Sequence, residues 1–127
     1  MRDESTDVRE KAYRQASALI PPSFKGQISW GEVDNRSFLR IAHGYLLGLM
    51  HRGDGKAAKA LAKKLLAWCP ADNLGVRMLL GDNSLMTGDA ESAMKSYWKE
   101  ATDSPAHWYQ ACQIVFRNPY RGIAANP

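Results

Sequence analysis

Three histidines and two cysteines are the residues of this chain best suited to chemistry, and their spacing limits what they can do. His43 and His51 stand eight residues apart, more than two helical turns, whereas a helical metal pair needs imidazoles at i and i+4. His107 lies far along the chain. Cys69 and Cys112 form no CxxC pair and have no histidine cluster beside them, so two reduced thiols are expected. Cys112 should face a helical core, and Cys69, at a helix end beside Trp68, should be the more accessible. An enzyme also needs a base near a nucleophile or paired carboxylates in a cleft. No phosphate-cradling loop, dinucleotide fingerprint, nucleophile elbow or zinc-ligand pattern is present. The expectation is a non-catalytic protein with no metal and no cofactor.

Charge is the next chemical resource, and it is unevenly placed. Residues 1–34 carry five Lys/Arg against six Asp/Glu, residues 35–71 seven against one, and residues 72–127 five against six. The excess of the middle segment comes from Arg36, Arg40, Arg52, Lys56, Lys59, Lys63 and Lys64. Lys56, Lys59 and Lys63 share one helix face by their i, i+3, i+7 spacing. Four lysines without interleaved aromatics make a solvated face the first expectation and contact with an anion or nucleic acid a weaker one.

These residues must be positioned by helices. Val8, Ala12, Ala16 and Leu19 predict an amphipathic helix from Ser5 to about Leu19, stopped by Pro21-Pro22. The linker to Asp34 holds Phe24, Ile28 and Trp30 and is expected to be packed. Phe38, Ile41, Ala42, Tyr45, Leu46 and Leu49 predict a second helix, capped by Asp34 or Asn35 and closed at Gly53. Asp54 should cap a third helix, whose apolar side is Ala57, Ala58, Leu61, Ala62, Leu65 and Leu66. A fourth follows Pro70, capped by Asp72 or Asn73 and carrying Leu74, Met78, Leu79 and Leu85. A fifth presents Ala93, Tyr97 and Ala101. The polar start and the short apolar runs lead us to expect neither a signal peptide nor a spanning helix, and a cytoplasmic location.

Two of these hairpins repeat. Gly53, Asp54, Ala58 and Pro70 recur as Gly88, Asp89, Ala93 and Pro105, each displaced by 35 residues, a period that marks units stacking to bury a shared core. The second hairpin, with Leu80-Gly81, Ala93 and Tyr97 four apart, and Pro105, resembles a tetratricopeptide repeat, whose signature is W-x2-L-G-x2-Y, A-x3-F and a closing Pro. The first keeps Ala58 and Pro70 but has Leu46 for the glycine and Ala62 for the aromatic. Ala42 and Arg77 stand at the Trp position, and Leu49 and Ser84 at the Tyr position. The segment from Pro70 to Arg77 is also similar to one in bacterial proteins of this repeat class. The resemblance implies an all-α fold: a short right-handed α–α superhelix of about two and a half helix-turn-helix repeats after an N-terminal helix. Its divisions are residues 1–34 for that helix and the linker, and 35–127 for the repeat region. Within the latter, repeats cover about 37–70 and 72–105, an extra helix about 105–117, and the tail is frayed.

The resemblance further implies a concave groove lined by leading helices. Its residues here would be Arg40, His43 and Leu47, then Met78 and Asp82, then Gln113 and Arg117. Met50, Met78 and Leu85 fit either this groove or a core beneath the N-terminal helix. A terminal-carboxylate clamp of the kind found in some family members is not expected, because His43, Leu47, Leu79, Gln110 and Ile114 occupy its places. The implied function is a protein–protein interaction adaptor that binds a peptide or protein segment. The alternative is homodimeric self-association through Trp108, Tyr109 and Phe116; the third reading is an anionic partner on Lys56, Lys59 and Lys63. Whether the N-terminal helix caps the first repeat or fills the groove is open at this level.

Overall fold

The repeated Gly-Asp pair does the same thing twice in the folded chain. A computed structural model describes residues 4–101, with side chains described through residue 97. Its helices are α1 (Glu4–Ser17), α2 (Val33–Arg52), α3 (Gly55–Trp68), α4 (Val76–Met86) and α5 (Ala90–Ala101). The described residues are all-α and contain no strand. The chain divides into two compact units between Val76 and Arg77.

Each unit turns its chain with one hydrogen-bond pattern. Gly53 and Gly88 take left-handed φ values of 84° and 87°, a conformation that glycine adopts without a Cβ penalty. The Gly53 N–H donates to Met50 O and the Asp54 N–H to Leu49 O, satisfying two carbonyls left over at the end of α2. Gly88 to Leu85 and Asp89 to Ser84 repeat both bonds. The carboxylates then cap the following helices: Asp54 Oδ1 accepts from Ala57 N and Asp89 Oδ1 from Ser92 N. Ala58 and Ala93, one turn further on, are both 0% exposed.

In the first unit, α2 packs against both neighbours with different faces. Leu39, Ala42, Leu46 and Leu49 are buried on the side towards α3, whose Ala58, Leu61, Ala62 and Leu65 are buried in turn. On another face, Gly44 and Gly48 admit α1. A Cβ on Gly48 would lie 2.9 Å from Thr6 Oγ1, so the two helices touch backbone to side chain there. Thr6 donates to Gly48 O at 3.4 Å and Arg9 to Gly44 O at 3.3 Å. Both bonds are long, so they mark close packing more than hydrogen-bond energy. Tyr13 then stacks on Phe38 and Tyr45 at 6.1 and 5.2 Å between centroids, and Phe38 meets Trp68 edge-on at 5.4 Å. Arg52 reaches back to Asp7 at 3.6 Å and Glu10 at 4.0 Å.

The packing face of α1 is centred on Thr6 and Tyr13, with Arg9 reaching across at its edge; of the expected Val8, Ala12, Ala16 and Leu19 stripe, Ala12 and Ala16 are half-buried and the two larger side chains are not. Val8 is 68% and Leu19 85% exposed. The reason is the partner surface: two glycines expose carbonyl acceptors that a hydroxyl and a guanidinium can reach and a valine cannot use. Within this unit α1 lies on the Phe38, Tyr45, Gly48 face of α2 and leaves the Arg40, His43, Leu47 face uncovered by α1. Four further details differ from expectation. α2 starts at Val33 with Glu32 at the cap position and no side-chain cap; Asp34 and Asn35 lie within its first turn, where Asn35 donates to Ser29 O. α4 starts at Val76, whose N–H reaches Asp72 Oδ1 at 2.6 Å, leaving Leu74 ahead of the helix. Cys69 is buried, its thiol 3.8 Å from Asn73 Oδ1. The linker is only partly packed: Ile28 is buried and donates its N–H to Trp68 O, whereas Phe24 stays exposed.

The second unit is built on Ala93 and Tyr97, with Met78, Leu85, Ala90 and Met94 packed against them. Gly81 faces the Tyr97 ring so closely that a Cβ there would sit 2.7 Å from Cε1. The positions equivalent to this pair in the first unit are Leu46 and Ala62, both buried. A glycine opposite a tyrosine in the second unit thus corresponds to a leucine and an alanine in the first, where the smaller side chain at Ala62 goes with greater bulk at Leu46.

Gly81→Ala tests that complementarity. Alanine favours the helix by about 1 kcal/mol, whereas overpacking costs about 1–3 kcal/mol. The buried Tyr97 ring, its hydroxyl bonded to Asp82, has no easy retreat. A net loss of up to about 2 kcal/mol is expected from urea unfolding. In a double-mutant cycle with Tyr97→Leu the loss should shrink; additivity would show that the ring does not set the requirement for glycine.

Candidate functional site

Arg36, Arg40, His43 and Leu47 follow one another along α2 at spacings of four, three and four, which places them on one stripe of the helix. Arg40 and Leu47 are exposed, and Arg36 and His43 are partly buried. At 38% exposure, Leu47 is an apolar side chain presented to solvent among polar neighbours.

The head of the stripe is held by the loop before α2. Ile28 N–H to Trp68 O, at 2.7 Å, ties the loop to the end of α3, and Asn35 to Ser29 O, at 3.0 Å, ties it to α2. These anchors put the Trp30 indole beside two guanidiniums, 5.0 Å from Arg36 and 5.2 Å from Arg40. Arg36 Nε also donates to Trp30 O at 2.9 Å. Among the described residues neither arginine pairs with a carboxylate. Burial holds the His43 imidazole below its ordinary value of 6.5, and the Asp72 carboxylate opposes that shift without cancelling it. His43 is consequently neutral at pH 7 and offers one donor and one acceptor.

The other expected groove residues have different surroundings. Met78, on α4, is partly buried against Ala93 and Tyr97. Asp82 accepts a hydrogen bond from the Tyr97 hydroxyl, which burial, and then this bond, pushes up from its ordinary range. Both side chains thus serve the packing of the second unit. Met50 is buried in the first. Gln113 and Arg117, and the Trp108, Tyr109 and Phe116 set, lie outside the described residues, as do His107 and Cys112. Lys56, Lys59 and Lys63 are exposed along α3 as expected, and Lys64 lies over the Trp68 ring at 5.3 Å.

Trp30 and Arg36 were not among the expected site residues. The i, i+4 spacing of Arg36 and Arg40 was a usable signal, since like charges so placed repel unless something holds them. The position of Trp30 had no such signal, because it depends on loop bonds to Trp68 and Ser29. Among the described residues no three of His, Cys, Asp and Glu converge to hold a metal ion, and no helix is long and apolar enough to cross a membrane. Comparison with protein-family models, with proteins of curated function and with solved structures finds no match.

The lowered His43 value has a consequence for stability. Because the folded state takes up this proton less readily than the unfolded chain, the contribution is full above pH 6.5 and lost as pH falls through the lowered value. Wild type should therefore lose stability relative to His43→Gln between about pH 7.5 and about pH 5, measured by urea midpoints at both. An unchanged difference would mean that the imidazole titrates alike in both states.

Proposed function

We propose that the protein is a non-catalytic cytoplasmic adaptor of tetratricopeptide-like repeats, its short superhelix binding a peptide or protein segment on the face that carries Arg40, His43 and Leu47. The observation that supports the repeat is the shared turn. Residues 35 apart in sequence make the same glycine and aspartate hydrogen bonds and bury the same alanine. Each of these bonds is a local device, and it is their recurrence at one period together with the buried alanine that supports a repeat; solenoids of this sort work as binding surfaces.

What supports the choice of face is that the other two faces of α2 are taken. One packs on α1 and one on α3, while the third presents two guanidiniums, an imidazole and an exposed leucine. Extended segments are commonly read by this mixture of polar contacts and one apolar anchor.

Capture of partners from a lysate of the source cell, with wild type beside Leu47→Glu, tests the reading. Leu47 is the better probe than Met78 because its side chain is exposed, so a charge there should leave helicity intact. A partner bound by wild type and lost by at least about tenfold with Leu47→Glu is the expected result. Equal capture by both, at equal circular dichroism, would remove this face from the function. A dimeric mass together with no captured partner would favour self-association instead.

A further inference from the structure

Two arginines one helical turn apart should repel, and yet here they share one indole. Left alone, like charges at i and i+4 destabilise a helix about as much as an opposite pair stabilises it. The Trp30 ring offsets part of this by attracting both cations through its π face. It also restricts where they point, and no carboxylate among the described residues completes the arrangement. The Arg36 bond to Trp30 O uses Nε, which leaves both terminal nitrogens for a bidentate acceptor. The entropy normally lost in ordering a long side chain is therefore partly lost already, before any ligand arrives.

We infer that Arg36 and Arg40, held in place by Trp30, form a double carboxylate-receiving site for an acidic segment of a protein partner, with Leu47 as the adjoining apolar contact. This rests on the reading of the Arg40, His43, Leu47 face as a binding face and adds the chemistry of the occupant. The register follows from helix geometry. Arg36 to Arg40 spans about 6 Å along the axis and Arg40 to Leu47 about 10 Å. An extended peptide advances about 3.3 Å per residue, so two acidic residues separated by one, followed by an apolar residue about three further on, match the stripe. A nucleic acid or other polyanion fits less well. Beyond Arg40 the stripe offers a neutral imidazole and a leucine where a phosphate backbone would need further cations.

Fluorescence anisotropy of dye-labelled peptides on the full chain tests this. The probes carry Glu-Ser-Glu-Ser-Ser-Leu, the same sequence reversed, and Gln analogues of both. One of the Glu peptides should bind at least about tenfold more tightly than its Gln analogue and weaken with added salt. Arg36→Gln and Arg40→Gln should each cost about tenfold, whereas Lys59→Gln should cost nothing. Trp30 acts as a positioning residue, so Trp30→Phe should keep most of the affinity that Trp30→Ala loses, with circular dichroism unchanged in Trp30→Phe. The proposal is overturned by equal binding of Glu and Gln peptides, by no binding at millimolar concentration, or by equal losses in Lys59→Gln and Arg40→Gln. A single-stranded DNA oligonucleotide that displaces the peptide and binds more tightly would overturn it in favour of a polyanion. The outcomes also separate the two readings. A lysate partner lost with Leu47→Glu but kept with Arg40→Gln removes the acidic occupant and leaves the binding face standing.

Discussion

The approach of α1 to Gly44 and Gly48 is the contact on which the first unit depends. A helix that meets two glycines one turn apart can settle against backbone, where any larger residue would hold it off by the width of a side chain. That closeness lets Tyr13 reach Phe38 and Tyr45, and it brings Asp7 and Glu10 within range of Arg52. The ion pairs are partly exposed and contribute little by themselves. The aromatic contacts stabilise the interface more, because rings bury more area than any aliphatic side chain there. With α1 on one side and α3 on the other, α2 has one stripe that neither covers, and there Arg40 and Leu47 are exposed while Arg36 and His43 are half-buried.

The two hairpins show how one turn can be kept while the packing beside it changes. Gly53-Asp54 and Gly88-Asp89 answer a local requirement: two carbonyls and an N-terminal N–H must find partners, and this pair of residues supplies both. Such a requirement is indifferent to what lies across the helix. The core requirement is different, since only the total volume between the helices is fixed. Glycine with tyrosine satisfies it in the second unit and leucine with alanine does so in the first. Residues that serve the backbone are therefore retained across the period, and residues that serve the core are free to trade size in pairs.

That difference also explains which parts of the structure were legible in sequence. The Gly-Asp turns, the Asp54 cap and the buried Ala58 and Ala93 followed from local rules and were readable without any fold. The face of α1 was not. Val8, Ala12, Ala16 and Leu19 have a good apolar period, but a helix buries what its neighbour can receive, and the neighbour's Gly44 and Gly48 favour a threonine and an arginine. The same holds at the candidate site. Spacing alone puts Arg40, His43 and Leu47 on one stripe, and in the fold they share one. The indole that orders the arginines arrives from a loop whose position is set by hydrogen bonds to Trp68 and Ser29, and no periodicity encodes those bonds. Asp82 has the spacing of a groove residue, but its bond with Tyr97 depends on a helix pairing that spacing does not orient.

The distribution of cations sharpens what the net charge of +4 conveys. The lysines of α3 and the arginines of α2 have the same sign and lie in the same unit, and physically they are different charges. Lys56, Lys59 and Lys63 are exposed ammoniums on flexible stems, strongly hydrated and free to move, and a partner that bound them would have to order each one. Arg36 and Arg40 are planar groups, less hydrated than ammoniums, and both lie over one ring. A field made by the first set acts at a distance and is screened over about 10 Å at ordinary ionic strength. Guanidiniums held in place, like the second set, interact at contact distance through the geometry of their donor fork. A chain that needed only solubility would have no use for the indole, because lysines on α3 already provide the charge. Trp30 carries structural meaning for that reason: it turns two mutually repelling cations into a surface of fixed geometry.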